Sequence, residues 1–299
     1  CDQARKLIAG LCGRTDLDIH FLIGGTQTNF TVIAAALRPH QCVLCADTGH
    51  INVHESGAVE ACGHKVSAIP SPDGKLTARQ IEEAWHAHWD DETREHMPQP
   101  RMVYISQPTE LGTIYSRKEL QEISGVCRRR GLYLYMDGAR LGYGLCDEDN
   151  DLDLPAISSL CDAFYIGGTK VGALFGEALV LRHEALKEDF RYIAKQKGGR
   201  LAKGRLLGIQ FLELFRDGLY FRLGAHADRL AVMLRDFCRS RGLALPFSSG
   251  TNQQFVTMPD SVLEELGRKY GFAYLRREDE THSTVRFCTS WATREEDVR

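Results

Sequence analysis

Short apolar segments alternate with longer segments of helical pattern along most of this chain, and this alternation constrains the fold more than any other feature. The apolar segments are DIHFLIGG (18–25), QCVLCA (41–46), KVSAIP (65–70), RMVYIS (101–106), LYLYMD (132–137) and DAFYIGG (162–168). The helical segments between them are TQTNFTVIAAALRP (26–39), HESGAVEACG (54–63), LTARQIEEAWHAHW (76–89) and SRKELQEISGVCRRRG (116–131). Strands that are apolar throughout and alternate with helices are typical of a parallel sheet covered on both faces. The sequence therefore predicts a three-layer α/β fold with a mostly parallel central sheet.

The pattern changes after residue 203. A long and mostly helical segment covers 203–242, and two more strand-like segments, QQFVTMP and TVRFCTS, follow it on either side of the helical VLEELGRKYG. We therefore predict a large domain over residues 1–203 and a smaller C-terminal α/β domain over residues 204–299.

Both ends of the chain fall within a helical pattern. The first residue is Cys1 rather than Met, and DQARKLIAGLCG reads as a helix already under way. At the other end, Thr293 and Glu296 have the spacing of a capping box at the start of a helix. We expect both predicted domains to be truncated.

The overall charge and composition are those of an ordinary soluble globular protein. Hydrophobic residues make up 43% of the chain, and the formal net charge is −3. A balance of this kind argues against an electrostatic nucleic-acid binder or a membrane-surface binder. No apolar run approaches the ~20 residues that a membrane-spanning helix needs.

The ten cysteines are scattered singly along the chain. Only Cys42 and Cys45 have C-x-x-C spacing, and no second pair completes a zinc site. We interpret them as reduced cysteines that pack as small hydrophobic residues, in a cytoplasmic protein.

Polar residues cluster immediately after four of the predicted strands. They are Gly24-Gly25-Thr26, Ser106-Gln107-Pro108-Thr109-Glu110, Asp137-Gly138-Ala139-Arg140 and Gly167-Gly168-Thr169-Lys170. Ligands of open α/β sheets bind outside the carboxyl ends of the strands. We therefore expect these four loops to converge on one binding site.

Lys170 is unusual because its neighbours are small or apolar, whereas lysine is rarely buried without a partner. Either it extends out of a glycine-rich turn, or its amine is directed at a ligand. A desolvated lysine amine is free to attack an aldehyde and form a Schiff base.

Two further strand-end groups have both a structural and a functional interpretation. Gly25 and Thr26 could cap a helix in an ordinary turn, or bind a phosphate at the helix N-terminus. Asp137 could pair with Arg140, or with a protonated ring nitrogen. No mononucleotide or dinucleotide phosphate-loop motif is present. A phosphate site, an aspartate and a lysine on one sheet edge are what pyridoxal 5'-phosphate (PLP) requires.

Five stretches in order carry a family resemblance over nearly the whole chain. They are GGTQTN, DTGHINVHESGA, the DGAR loop, the GGTK loop with ALFGEALV, and VRFCTSWATREEDV. On these stretches the chain resembles the threonine aldolase and β-eliminating lyase group of PLP enzymes, which have the aspartate aminotransferase fold (fold type I). The resemblance implies a PLP-dependent transferase type of central sheet.

The resemblance also implies a role for each matching position. Lys170 would carry the cofactor as a Schiff base, Asp137 would pair with the ring nitrogen, and His50 would stack on the ring. Arg140 would lie near the cofactor or the substrate carboxylate. The remaining implied contacts are the cofactor phosphate for Gly25, Thr26, Thr169 and Arg205, and the substrate α-carboxylate for Arg286.

Two of these arginines have structural alternatives. Arg286 could instead be a surface residue of an edge strand, and Arg205 lies in a basic helix start that is typical of a solvated surface. If Arg205 does contact a phosphate, we expect it to do so across a dimer interface.

His50 and His54 are four residues apart and precede Glu55, so a helix would place both rings on one face. HINVHE is not the H-E-x-x-H zinc motif, and no third ligand is evident. We therefore predict no metal site here.

One loop departs from the family pattern. Low-specificity threonine aldolases typically have a second histidine in the loop that here reads SQPTELGT, where Glu110 lies at about that place. Either Glu110 or His50 could accept the proton of the substrate hydroxyl. The sequence thus predicts cleavage of the Cα–Cβ bond of a β-hydroxy amino acid such as L-threonine, giving glycine and an aldehyde.

Two alternatives to this reaction remain open. One is a PLP-dependent β-eliminating lyase or aminotransferase, which would share every cofactor residue. The other is a non-catalytic homologue that keeps the fold. The resemblance also implies a homodimer or homotetramer with sites at the subunit interfaces.

Overall fold

The computed structural model describes all residues from 1 to 299. The helices are α1 (Asp2–Leu11), α2 (Gly25–Ala36), α3 (His50–Val53), α4 (Ala78–Trp89), α5 (Arg117–Arg130), α6 (Leu141–Cys146), α7 (Leu154–Leu160), α8 (Glu184–Lys187), α9 (Phe190–Gln196), α10 (Arg205–Arg216), α11 (Leu219–Ser240) and α12 (Asp260–Leu266). The strands are β1 (Asp18–Leu22), β2 (Gln41–Ala46), β3 (Lys65–Ile69), β4 (Gln99–Ser106), β5 (Tyr133–Asp137), β6 (Ala163–Gly167), β7 (Glu177–Leu181), β8 (Gln253–Pro259), β9 (Ala273–Arg277) and β10 (His282–Cys288).

A seven-stranded sheet with the order β1-β7-β6-β5-β4-β2-β3 forms the centre of the molecule. The pairs from β6 through β5, β4 and β2 to β3 are parallel. Only β7 runs against its two neighbours, β1 and β6. The prediction of a mostly parallel central sheet is confirmed.

Alternate side chains of the central strands point into two separate hydrophobic cores. On β5, Leu134 and Met136 pack with α1, α5, α7 and α10 on one face, whereas Tyr135 packs with α2 and α9 on the other. This alternation follows from the two-residue period of a strand. Because both faces are covered, the strands read as continuous apolar runs, and the three-layer prediction is confirmed.

Two of the predicted helices begin with a capping box. Thr77 and Gln80 form a reciprocal capping box at the start of α4, and Ser116 and Glu119 form another at the start of α5. Each box satisfies backbone N–H groups that have no partner in the first helical turn.

Two local predictions are wrong, and one strand has no prediction. Residues 54–63 do not form a continuous helix, because the helical turn comes earlier as α3 and two turns and a 3₁₀ segment follow. Strand β9 was not predicted, since all of its residues are exposed and it has no apolar pattern. Thr293 caps no α-helix, because only a 3₁₀ turn follows it and its hydroxyl accepts the N–H of Ser290.

A second, antiparallel sheet of order β8-β10-β9 lies in the C-terminal part of the chain. Helix α11 packs against α6 and β8, while α10 packs against α1 and β1. The predicted domain boundary near residue 203 stays a prediction. None of the helices is long and apolar enough to span a membrane.

Candidate active site

A cavity of about 910 Å³ opens between the carboxyl edge of the central sheet and the three-stranded sheet. Residues of all four predicted strand-end loops line it. The other wall comes from β8, β9 and β10, through residues that include Phe255, Tyr274 and Arg286. The expected convergence of the four loops is therefore present.

Asp137 lies at the end of β5 and is 5% exposed. Its Oδ1 accepts hydrogen bonds from the Tyr165 hydroxyl at 2.5 Å and the Ala139 backbone N–H at 2.9 Å. Its Oδ2 accepts from the Tyr104 hydroxyl at 2.6 Å and from Nδ2 of Asn29 at 2.9 Å. These four donors fix the carboxylate in position at the floor of the cavity. None of them is Arg140, so the structural alternative of an Asp137–Arg140 pair is absent.

Close backbone contact brings the Asp137 loop and the Lys170 loop together. A Cβ atom on Gly138 would lie 1.8 Å from the carbonyl oxygen of Tyr165, and one on Gly167 would lie 2.4 Å from the carbonyl oxygen of Ala139. Only glycine permits such an approach without displacing the backbone. The two glycines therefore place the aspartate and the lysine in one site.

Lys170 is half-buried at the cavity wall, and its amine donates no hydrogen bond within the chain. Its backbone carbonyl accepts a hydrogen bond from the Tyr143 hydroxyl, which holds the loop. Burial and the nearby positive charge of Arg140 lower the pKa of Lys170 below its ordinary 10.5. A lowered pKa increases the fraction of neutral, nucleophilic amine.

Arg140 and Arg286 both line the cavity, and neither forms an ion pair with a carboxylate of the chain. Arg286 donates one hydrogen bond, from Nη1 to Oε1 of Gln253 at 3.1 Å, and its buried Nε has no partner. Burial lowers the pKa of the Arg140 guanidinium. Guanidinium groups that have no carboxylate partner in a cavity are suited to bind a planar carboxylate.

The N-terminus of α2 faces the same cavity. Gly25 and Thr26 are the first two residues of this helix and line the cavity, as does Thr169 from the loop before Lys170. The first N–H groups of a helix have no internal partner, and its dipole favours an anion. This arrangement suits a phosphate.

His50 begins α3 at the cavity wall, and His54, which is exposed, comes directly after the helix. The two ring centroids are 5.4 Å apart. Nδ1 of His50 lies 2.8 Å from Oε1 of Glu55. Burial lowers the pKa of His50, but the hydrogen bond to Glu55 and the charge of Asp137 raise it by more, so the pKa lies above 6.5.

Glu110 is also at the cavity wall, where its Oε1 accepts hydrogen bonds from the Ser106 hydroxyl at 2.7 Å and the His50 backbone N–H at 2.9 Å. Burial raises the pKa of Glu110. Its other oxygen has no hydrogen-bond partner within the chain. Both sequence candidates for proton acceptor therefore lie in the cavity, and they are linked to each other.

Arg205 is the one predicted site residue that the structure does not bring to this cavity. It is exposed at the start of α10 and lies beside a separate, smaller pocket of about 270 Å³. A contact with a phosphate in the main cavity would have to come from a second subunit.

Sequence reasoning missed several polar residues of the site. Glu177 lines the cavity and is 3% exposed, with Oε2 accepting the Gly168 N–H at 2.9 Å. Asn29 and Glu55 are buried behind Asp137 and His50. Glu55 directly follows His54 in the sequence, but no local pattern indicates that its side chain is buried.

The sequence profile of the β-eliminating lyase family matches residues 6–261. The low-specificity L-threonine aldolase of Pseudomonas sp. (strain NCIMB 10558) is 34% identical to the chain, over 100% of this chain and 84% of that protein. The enzyme of the same name from Pseudomonas aeruginosa is 32% identical, over 95% of this chain and 81% of that protein.

Solved structures are similar to the chain as well. A threonine aldolase from Leishmania major superposes with a TM-score of 0.96 and 45% identity, covering 100% of this chain and 86% of that one. An aspartate aminotransferase from Thermus thermophilus has a TM-score of 0.70 at 16% identity, covering 99% of this chain and 79% of that one. The second likeness concerns the fold alone.

Proposed function

The chain belongs to the β-eliminating lyase family, and we propose that it is a PLP-dependent lyase that cleaves the Cα–Cβ bond of a β-hydroxy amino acid such as L-threonine. The products would be glycine and an aldehyde. The names of the relatives support this reaction over β-elimination or transamination.

One observation carries the proposal: an unpartnered lysine amine, a fixed carboxylate and a helix N-terminus face one cavity. These groups fit PLP, because they match its aldehyde, its ring nitrogen and its phosphate. Lys170 would hold the aldehyde carbon, Asp137 the ring nitrogen, and Gly25, Thr26 and Thr169 the phosphate. When bound, PLP supplies an electron-accepting ring that stabilises the charge left on Cα after the bond breaks.

The two guanidinium groups without a carboxylate partner support an amino-acid substrate. Arg286 and Arg140 would bind its α-carboxylate, since charge-assisted bidentate pairs of this kind fix both position and orientation. Fixing the carboxylate restricts how the Cα–Cβ bond lies in the cavity, and correct orientation is a large part of catalysis.

Cleavage of the Cα–Cβ bond requires removal of the β-hydroxyl proton. His50 and Glu110 both lie at the cavity wall. Burial raises the pKa of Glu110 above its ordinary 4.5, and the pKa of His50 lies above 6.5. A base with a pKa near the working pH is the most effective proton acceptor.

The reaction class is tested by product analysis. Incubation with L-threonine and PLP should give glycine and acetaldehyde in equal amounts. Pyruvate or another keto acid with ammonia would indicate β-elimination, a keto acid with an aminated cofactor would indicate transamination, and no product from any amino acid would favour a non-catalytic homologue.

Replacement of Lys170 by Ala tests the cofactor lysine. We expect the parent to gain a visible absorbance band on addition of PLP, and the variant to lose both the band and the activity, because no other amine without a partner is placed between Asp137 and the phosphate site. Lys118→Ala is the control, because Lys118 is 86% exposed on α5. Full activity in Lys170→Ala would refute the proposal.

We also propose a homodimer or homotetramer in which Arg205 reaches the cofactor phosphate of a neighbouring subunit. Apolar residues that are largely exposed in the single chain support an interface close to the site. Leu174, four residues after Lys170, is 88% exposed, and Leu206 beside Arg205 is 56% exposed. The predicted cytoplasmic location stays a prediction.

A further inference from the structure

Glu55 is a fully buried carboxylate behind the cavity wall, and one of its oxygens has two partners. Oε1 lies 2.8 Å from Nδ1 of His50 and accepts Nδ2 of Asn29 at 2.7 Å, while Oε2 is buried with no partner. A buried carboxylate with an unpartnered oxygen is costly. A group kept in such a position is therefore a candidate for a role beyond packing.

Asn29 joins this carboxylate to Asp137. Its Nδ2 donates to Glu55 and also to Oδ2 of Asp137 at 2.9 Å, while its Oδ1 accepts the Tyr135 hydroxyl at 2.8 Å. The amide orientation is determined by these partners, because the opposite orientation would direct its oxygen at two carboxylates. Asn29 thus separates the two carboxylates by donating to both.

The same contacts define the orientation of the His50 ring. A nitrogen that faces a carboxylate must carry a proton, so Nδ1 is the protonated nitrogen when the ring is neutral. Nε2 then has the free lone pair, and it has no partner within the chain. Because His50 lines the cavity, this nitrogen is available to a ligand.

We propose that Glu55 and Asn29 are positioning residues, which hold His50 with Nε2 available to the cavity and join it to Asp137 in one hydrogen-bonded unit. The proposal deepens the proposed function and rests on it for what Nε2 does. It makes His50, oriented by Glu55, the proton acceptor for the substrate hydroxyl. The logic is that of a base held by a third group.

The charge of His50 is set by every charged group that faces it. The negative groups are Glu55, Asp137 and Glu110, whose carboxylate accepts the His50 backbone N–H. The positive groups are Lys170 and, when charged, His54. Of these, Glu55 alone contacts the ring nitrogen.

Histidine NMR on the full chain tests the role of Glu55, with and without PLP. The His50 ring signal is assigned by its loss in His50→Gln, and its pH titration is followed in the parent and in Glu55→Gln. We expect the midpoint to fall by about one pH unit or more, since removing a contacting opposite charge shifts a pKa by roughly that much. An unchanged midpoint would overturn the proposal.

Two further variants are controls for a folding defect in Glu55→Gln. Glu55→Asp keeps the negative charge, so its midpoint should lie between those of the parent and Glu55→Gln. Thr31, like Asn29, is a buried polar residue of α2, and its hydroxyl has no partner. Thr31→Val should leave the His50 titration unchanged. A shift in Thr31→Val as large as in Glu55→Gln would show that packing alone is responsible.

A double-mutant cycle tests the link through Asn29. Asp137→Asn should lower the His50 midpoint, and the same change in an Asn29→Ala background should lower it less. Equal effects in the two backgrounds would show that Asn29 does not couple the two groups. Neither measurement requires catalytic activity.

The pH profile of kcat/KM provides the enzymatic readout. If His50 is the base, the acid limb should move to lower pH in Glu55→Gln, and kcat should fall because the charged ring loses its partner. A parent without aldol activity would refute the proposed function but leave the NMR results valid. An active variant with an unmoved acid limb would overturn the proposal itself.

Discussion

At the scale of single residues, Glu177 is a buried carboxylic acid of the cavity that has no role in the proposed reaction. It is 3% exposed, it lines the cavity beside Lys170, and it accepts the N–H of Gly168. Burial raises the pKa of Glu177 to about 7, against the opposing hydrogen bond to Gly168 and the charge of Lys170. The residue therefore titrates near neutral pH.

This titration should appear in the stability of the chain. Because the pKa of Glu177 is higher in the folded chain than the ordinary 4.5, folding favours the protonated form. Its contribution to the free energy of unfolding is complete below about pH 4.5 and is lost as the pH rises to about 7. The loss of stability amounts to about 3 kcal/mol. We expect Glu177→Gln to remove this loss.

Urea unfolding of the parent and of Glu177→Gln between pH 5 and 8 measures the difference. The free energy of unfolding of Glu177→Gln should increase relative to that of the parent as the pH rises. Glu83→Gln, an exposed control on α4, should have the same pH dependence as the parent. Parallel curves for parent and Glu177→Gln would contradict the expectation.

The second residue-scale prediction concerns substrate binding by Arg286. Replacing it by Ala should raise KM for the amino acid by roughly 10- to 100-fold, because a hydrogen-bonded charge pair contributes about 1.5–3 kcal/mol. Arg276→Ala is a matched control from the neighbouring strand β9, where Arg276 pairs with Glu278. If steady-state kinetics of Arg286→Ala showed a changed kcat but an unchanged KM, a role of Arg286 in binding the substrate in its ground state would be excluded.

At the scale of elements, the site depends on which end of each strand reaches the cavity. Strands β1, β4, β5 and β6 present their carboxyl ends there, as parallel strands with a common direction do. Strand β7 runs the other way, and its first residue, Glu177, pairs with Leu22 and Gly167 at that edge. A reversed strand therefore contributes its amino end to the same cavity.

The contact between the loops after β5 and β6 gives an element-scale prediction. Gly138→Ala places a Cβ where only 1.8 Å separates it from the Tyr165 carbonyl oxygen, so the two loops must move apart. We expect a loss of about 1–3 kcal/mol of stability, as for other overpacked sites, together with weaker PLP binding.

Gly10→Ala provides the comparison, because a Cβ there meets nothing within 4 Å. Residue 10 lies in α1, where alanine should stabilise the helix by roughly 0.5–1 kcal/mol. Thermal unfolding and PLP titration of both variants would test the pair. Normal PLP affinity in Gly138→Ala would show that the loop contact does not position Asp137 and Lys170.

At the scale of the whole molecule, the proposed sharing of sites between subunits predicts complementation. Lys170→Ala and Arg205→Ala should each be impaired alone. In a hybrid dimer, one of the two sites would contain both an intact Lys170 and an intact Arg205 from the other subunit. Co-expressing the two variants with different tags should therefore recover activity in the doubly purified hybrid.

The matched control mixes Lys170→Ala with Asp137→Asn, since both residues lie in the same cavity. In its hybrid one site lacks Lys170 and the other lacks Asp137, so this hybrid should recover no activity. If Arg205 instead served its own subunit, the first hybrid would have no complete site and would recover no activity. The double variant Lys170→Ala/Arg205→Ala paired with the parent would then keep one complete site, that of the parent subunit. Under the shared-site proposal, that pairing leaves no complete site and should be the least active.

The sequence by itself determined the layered sheet and most of the residues that face the cavity. Apolar runs such as 101–106 and 132–137 are local signals, because a strand covered on both faces must be apolar along its length. Asp137, Lys170, Arg140 and Thr26 follow directly from the rule that parallel strands present their carboxyl ends to ligands. Their positions can be read without knowing which strands are neighbours.

Only the tertiary structure decided the direction of β7 and the unit formed by His50, Glu55, Asn29 and Asp137. Asn29 and Asp137 are 108 residues apart in the sequence, yet they are joined by a hydrogen bond of 2.9 Å. An apolar strand reads alike in either direction, and a buried asparagine has no local pattern that identifies its partners. These features arise from packing between distant segments, which is why the sequence supplied the reacting groups but not the residues that orient them.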